Sequence, residues 1–163
     1  MGGRATPPVT FRPIRPDDEP FLYRVYASTR EEELRPVPWT AAQKEAFLRQ
    51  QFQAQHAFYQ KQYASARFEI VLRDGQPIGR LYVARGDDAI RIVDIALLPE
   101  HRGAGIGTGI LRDLLAEAAA AGKPVRIHVE RLNPARHLYE RLGFVLVADS
   151  GVYCLMEWAP GGG

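Results

Sequence analysis

Asp94-Ile95-Ala96-Leu97-Leu98-Pro99-Glu100-His101-Arg102-Gly103-Ala104-Gly105-Ile106-Gly107-Thr108-Gly109-Ile110-Leu111 reads as a strand running into a glycine-rich turn and then a helix. Gly103, Gly105, Gly107 and Gly109 fall at every second position. Few Cβ atoms then crowd the turn, so backbone N–H groups can converge on an anion while the new helix aims its positive end at it. The stretch reads as a phosphate cradle, and two better-known cradles are excluded. A dinucleotide fingerprint, G-x-G-x-x-G, would need glycine at Thr108 or Ile110. A P-loop needs a lysine, and none lies between Lys61 and Lys123.

Downstream, Ile106, Ile110, Leu111, Leu114, Leu115 and Ala118 repeat at helical spacing, and Gly122 with Pro124 marks the end. Pro124 to Glu130 alternates, with Val125, Ile127 and Val129 on one face and Arg126, His128 and Glu130 on the other. Strand, helix, strand implies a parallel pair. Asn133 then caps a helix with Pro134 in its first turn and the stripe Ala135, Leu138, Tyr139 and Leu142, ended by Gly143. Phe144–Val147 and Val152–Trp158 form a terminal hairpin about Asp149-Ser150-Gly151.

Upstream, Arg67–Arg73 and Ile78–Val83 form a hairpin at Asp74-Gly75, followed by a strand from about Ile90 to Leu98. Val9–Arg15 reads as an edge strand, since Pro13 argues against a central place. Asp17 is expected to cap a short helix carrying Phe21, Leu22, Val25 and Tyr26, and Ser28 to Trp39 to form a loop. Thr40 to Gln43 resembles a capping box, opening one long helix or two in tandem to about Tyr63.

The 163 residues suit one domain, expected over 9–158, between flexible residues 1–8 and 159–163. A net charge of +2 with scattered basic residues argues against a nucleic-acid partner. No apolar run reaches membrane-spanning length and none near Met1 resembles a signal peptide, so a membrane partner is not expected and a cytoplasmic location is. The single cysteine, Cys154, lies in an alternating apolar strand and reads as a small buried hydrophobe.

Arg102-Gly103-Ala104-Gly105-Ile106-Gly107 resembles the [QR]-x-x-G-x-[GA] motif of the GNAT superfamily of acetyl-CoA-dependent N-acetyltransferases. Asn133 to Phe144 is similar to that family's N-x-x-A-x-x-L-Y-E-x-x-G-F segment, with one residue fewer between Asn133 and Ala135. The element order resembles the family's over nearly the whole chain. The resemblance implies a mixed α/β (α+β) fold, with a mostly antiparallel twisted sheet of about seven strands and about four helices. Its parallel central pair is splayed. It further implies acetyl-CoA as acyl donor, with no metal. The pantetheine arm would pair with Ile95, Ala96 and Leu97, and the pyrophosphate would lie on Gly103, Ala104, Gly105, Ile106, Gly107 and Thr108 beside Arg102 and Asn133.

Acyl transfer to an amine needs a neutral nucleophile, a polarised carbonyl and a proton for the departing thiolate. The resemblance assigns the carbonyl contact to a strand N–H, that of Leu97, and the acid to Tyr139. A phenol near pKa 10 facing a thiol near 8.5 makes full transfer uphill by about 2 kcal/mol, so Tyr139 assists by hydrogen bonding. Tyr139 also lies on an apolar stripe, where packing alone would explain it. Asp94, His128, Glu130 and Glu33 are candidate bases, His128 having the best matched pKa, and each has an ordinary structural alternative. Water is a further proton carrier.

The acceptor is expected to be an amine on a small molecule or peptide. Glu31 to Glu33 with Trp39, Tyr26 and Tyr59 are candidates to receive a cationic one. A non-catalytic acyl-CoA-binding or sensor module shares the glycine loop without needing Tyr139, and a purely structural domain predicts no CoA affinity. Trp158 on the terminal strand fits a homodimer contact or core packing equally.

Overall fold

Alternating and helical periodicities sort the chain into one sheet and the helices that cover it. The computed structural model describes residues 8–131 and 133–161. Of the termini expected to be flexible, residues 1–7 and 162–163 lie outside the described residues. The strands are β1 (Thr10–Pro13), β2 (Arg67–Arg73), β3 (Gln76–Arg85), β4 (Ile90–Leu97), β5 (Val125–Glu130), β6 (Val145–Asp149) and β7 (Tyr153–Trp158). The helices are α1 (Glu19–Leu34), α2 (Ala41–Gln62), α3 (Ile106–Ala121) and α4 (Ala135–Arg141). The seven strands lie in the order β1-β2-β3-β4-β5-β7-β6. Only β4 and β5 run parallel, as the strand-helix-strand pattern requires.

Local chemistry accounts for most boundaries. Pro13 ends β1, which sits on the sheet edge where a missing N–H costs least. Asp74 and Gly75 turn β2 into β3 with φ of 51° and 78°, the positive pair that a two-residue hairpin favours. Thr40 and Gln43 cap α2 reciprocally, the Gln43 N–H donating to Thr40 Oγ1 at 3.1 Å and the Thr40 N–H to Gln43 Oε1 at 2.9 Å. The stretch that follows is one helix of 22 residues.

The first helix departs from expectation at both ends. Pro16–Asp18 forms a 3-10 turn before α1. Asp18, rather than Asp17, takes the structural role, accepting from the Arg15 N–H at 2.7 Å and pairing with both Arg12 terminal nitrogens at 2.8 and 2.9 Å. The helix then runs to Leu34, so the loop expected over Ser28 to Trp39 is confined to its last few residues. Arg30 binds Glu33 and Arg35 binds Glu32 one turn apart, which neutralises the acidic run and lets it stay helical. Leu34 is buried and gives that last turn a hydrophobic anchor.

Helices cover both faces of the sheet. Leu22, Tyr26, Leu48 and Phe52 from α1 and α2 pack with Ile70 and Tyr82 on one face. Ile106, Ile110, Leu111, Leu114, Leu115 and Ala118 from α3 pack with Leu81, Val83, Ile92 and Ile127 on the other, joined by Tyr139 of α4. Trp158 packs partly buried against this second core, beside Gly143. The exposed apolar surface of the terminal hairpin lies instead on Val145, Leu146 and Val147 of β6 and on Val152 and Tyr153.

One irregularity positions the site. Tyr82 of β3 faces Asp94, but Val83 faces Ile92, so Val93 is an extra residue in β4. Such a bulge bends and twists its strand. The parallel ladder ends at the same place: Ile90, Arg91 and Ile92 pair with Val125, Arg126 and Ile127, and no pairing follows. Beyond the bulge β4 and β5 diverge.

Candidate active site

The divergence leaves a cleft whose floor is the open edge of β4. Leu98 donates its N–H to Ile78 O of β3 at 2.8 Å. Antiparallel alternation therefore turns Ala96 toward β3 as well, and turns the backbone groups of Ile95 and Leu97 toward the cleft. Buried backbone groups without partners are costly, so this edge favours a ligand that brings its own amides. Gly79 makes the opposite edge of β4 tight, since a Cβ there would lie 2.3 Å from Ala96 O.

Two connected chambers occupy the cleft. The outer one, about 330 Å³, is lined by Ile95, Ala96, Leu97, Arg102, Gly107, Asn133 and Tyr139 among others. The inner one, about 230 Å³, adds Tyr59, Asp94, His128 and Glu130, and shares Thr29, Ile95, Ala96, Asn133 and Tyr139 with the outer. The larger cavity near α1, lined by Arg24, Glu31, Arg35 and Lys44, is separate from these residues.

The glycine loop forms the mouth. Gly103 and Gly105 adopt φ of 79° and 83°, conformations that carry a steric penalty for residues with a Cβ. Gly105 precedes α3 with no side-chain cap, leaving the first-turn N–H groups of Ile106, Gly107 and Thr108 without a capping side chain. Ile106 buries its side chain in the core and offers only its backbone; Ala104 is exposed in the turn. Arg102 does not simply project toward an anion. Its Nε donates to Leu97 O at 2.9 Å and its Nη2 to Ser28 Oγ at 3.2 Å, tying the end of β4 to α1. Leu97 thus keeps a cleft-facing N–H while its carbonyl is already engaged.

α4 supplies Tyr139, and the turn that precedes it supplies Asn133. Asn133 Oδ1 accepts from the Ala135 N–H at 2.9 Å and so starts the helix, as its sequence position predicted. Tyr139 is buried, its ring edge-on to Phe144 with centroids 5.5 Å apart, and it lines both chambers. Packing and exposure to the cleft coexist in this one side chain. Burial, and then the charge of Asp94, push its phenol up to about 12.

The three carboxylate and imidazole candidates differ sharply. Asp94 Oδ2 accepts from Arg80 Nη2 at 2.9 Å and from Tyr59 Oη at 3.2 Å. Arg80 also donates to Gln55 at 3.0 Å and is only 3% exposed, so Asp94 is the counter-ion of a buried guanidinium. Burial and the same carboxylate raise the Tyr59 phenol well above its ordinary value, keeping it a donor. His128 Nδ1 lies 2.7 Å from Arg91 Nη1. A guanidinium can only donate, so Nδ1 supplies the lone pair and the ring proton sits on Nε2. Burial and then Arg91 lower the His128 pKa, which keeps the ring neutral. Glu130 is exposed on the wall of the inner chamber.

The acidic run lies elsewhere. Glu33 pairs with Arg30 of α1, Glu32 with Arg35 just beyond its end, and Glu31 lines the separate cavity; of the proposed acceptor set only Tyr59 reaches the cleft. Spacing along the sequence misled here because α1 continues through these residues and turns them away. The important residue that sequence reasoning passed over is Arg80. Its signal was a lone charge inside the otherwise apolar run Ile78 to Val83.

Residues 22–144 match the family model described as Acetyltransferase (GNAT) family. Solved structures share the architecture at low identity. The PaiA N-acetyltransferase from Thermoplasma acidophilum, solved in complex with coenzyme A, superposes with a TM-score of 0.68 at 18% identity, covering 93% of this chain and 99% of that one. An acetyltransferase from Thermus thermophilus gives 0.66 at 20% identity, with 93% and 96% covered. A GNAT family acetyltransferase from Elizabethkingia anophelis with acetyl-CoA bound gives 0.57 at 16% identity, with 93% and 97% covered.

Proposed function

The chain belongs to the acetyltransferase (GNAT) family, and from that premise we propose that it transfers the acetyl group of acetyl-CoA to a primary amine by direct attack in a ternary complex. The observation that carries this reading is the cleft itself. β4 and β5 cease pairing at the Val93 bulge, and the opened edge leads from the uncapped start of α3 to Tyr139.

The donor fits these groups. The first-turn N–H groups of α3 would hold the pyrophosphate, and the cleft-facing backbone of Leu97 and Ile95 would pair with the amides of the pantetheine arm. Leu97 shares the outer chamber with Arg102 and Gly107, whereas Ile95 lies in both chambers. We therefore assign the carbonyl contact to the Ile95 N–H and the arm contact to the Leu97 N–H. The amine nitrogen forms its bond to the carbonyl carbon as the carbon–sulfur bond breaks. Tyr139 would donate a hydrogen bond to the developing thiolate. Its raised pKa makes it a stabiliser of negative charge that retains its proton for most of the step.

The base roles follow from the hydrogen bonds. Asp94 is neutralised by Arg80 and held by Tyr59, so it orders the wall of the inner chamber, and the charge there that draws a cationic amine is that of Glu130. His128 offers its Nε2–H while Arg91 holds Nδ1, and becomes a base only on exchanging that partner. A water in the inner chamber, beside Glu130, is the route we favour for the amine proton.

The test is the melting temperature with and without acetyl-CoA, with ATP and NADH as controls. Donor at about 100 times its dissociation constant stabilises by about 2.7 kcal/mol, or roughly 5 to 10 °C for a chain of this size. A shift specific to acetyl-CoA is expected. No shift at saturation would reduce the glycine loop to a turn.

A further inference from the structure

Beyond the inner chamber the cleft opens into a cavity of about 500 Å³ that shares Tyr59, Val93, His128 and Tyr153 with it. Its walls are dominated by aromatic rings, including Phe58 and Tyr63. Phe58 and Tyr153 are 56% and 48% exposed, unusual for rings with no contact to make. One cation lies among them, Arg91.

Arg91 is electrostatically uncompensated. Across the parallel ladder it faces Arg126, but Arg126 Nε is neutralised by Glu157 at 2.7 Å. Among the described residues Arg91 has no carboxylate within ion-pair distance, and its only partner is the neutral His128. Two donors, the Arg91 guanidinium and the His128 Nε2–H, therefore stand in an aromatic cavity. At the other end of the same space Asp94 is neutralised by Arg80, and Glu130, with no cation within ion-pair distance among the described residues, gives the inner chamber its negative charge. Arg91 lies one side of the Val93 bulge and Ile95 the other; they face Ala84 and Leu81, three residues apart on β3, so roughly 10 Å separates them at about 3.3 Å per strand residue.

This polarity names an acceptor class. Resting on the acetyltransferase reading above, we infer that the acceptor is a primary alkylamine carried on an aromatic ring, with a carboxylate on the far side of that ring. Its ring lies against Tyr59 and Tyr153, its carboxylate pairs with Arg91, and its amine reaches the point beside Ile95 where β4 and β5 part. A planar guanidinium suits a carboxylate because two parallel hydrogen bonds fix its orientation. The aromatic walls supply area for a flat ring.

The probes are 4-(aminomethyl)benzoate and its neutral analogue 4-(aminomethyl)benzamide, assayed with acetyl-CoA. The benzoate is expected to be preferred about tenfold or more in kcat/KM, through KM rather than kcat. Arg91→Gln should bring the ratio near unity and Arg91→Lys should restore part of it. Arg126→Gln, on the same face but outside the cavity, should leave the ratio intact. Saturation-transfer NMR on the CoA-loaded protein should show the benzoate ring bound to the native chain and released by Arg91→Gln. Equal use of the two amines, a ratio insensitive to Arg91, or absence of benzoate binding while acetyl-CoA still raises the melting temperature would overturn the inference and leave the acetyltransferase reading standing. Absence of the acetyl-CoA shift would remove that reading and the inference with it.

Discussion

Tyr139 carries two demands in one side chain: its ring fills the core against Phe144, while the same residue lines both chambers of the cleft. Tyr139→Phe keeps the ring and removes only the donor. We expect kcat to fall about 100-fold, the lower end of the effect of deleting one hydrogen-bond donor to a charged transition state, with the melting temperature nearly unchanged. Unaltered turnover would leave Tyr139 a packing residue. The pH profile checks the same point. Burial and Asp94 favour the neutral phenol, holding it near 12, so the donor persists as pH rises. kcat/KM should therefore climb as the acceptor amine loses its proton, without an alkaline fall below about pH 11. A falling limb near pH 9 to 10 would contradict a buried, protonated Tyr139.

At the scale of elements, β4 does the positioning. Its inner edge is held close to β3 at Gly79, its extra residue at Val93 bends it, and its outer edge is then free. A side chain at position 79 would meet a backbone oxygen, which moves only if β4 moves. Gly79→Ala should cost about 2 to 3 kcal/mol in a urea titration and weaken acetyl-CoA binding with it, because the edge that pairs with the donor shifts. Gly86→Ala is the control, since its nearest atom would lie at an ordinary 3.4 Å. Equal stability of the two variants would show that the close approach at Gly79 does not constrain the sheet. The bulge left one mark in the sequence that the strand reading passed over: Ile90 and Ile92 share one phase, Ile95 and Leu97 the other, and the switch falls at Val93, where the register against β3 places the extra residue.

Across the whole molecule, the Arg80 network joins the layers: α2 through Gln55 and Tyr59, β3 through Arg80, and β4 through Asp94. Arg80→Met strands a largely buried carboxylate and should destabilise by about 3 kcal/mol, read from the urea midpoint; a loss below about 1 kcal/mol would mean that Asp94 is solvated without its partner. The sequence by itself determined the element order, the parallel pair, the turn from β4 into α3 and the place of Tyr139 on the apolar stripe of α4. These depend on period, caps and turn residues, which act over a few positions: Thr40 with Gln43, Asp74 with Gly75, Gly122 after α3. What only the tertiary structure decided is which charges meet. Glu31 to Glu33 promised an acceptor site and were turned away by α1, while Asp94 found Arg80 and His128 found Arg91. Side-chain partners from distant segments are chosen by register and by the faces that helices bury, and those are properties of the assembled layers.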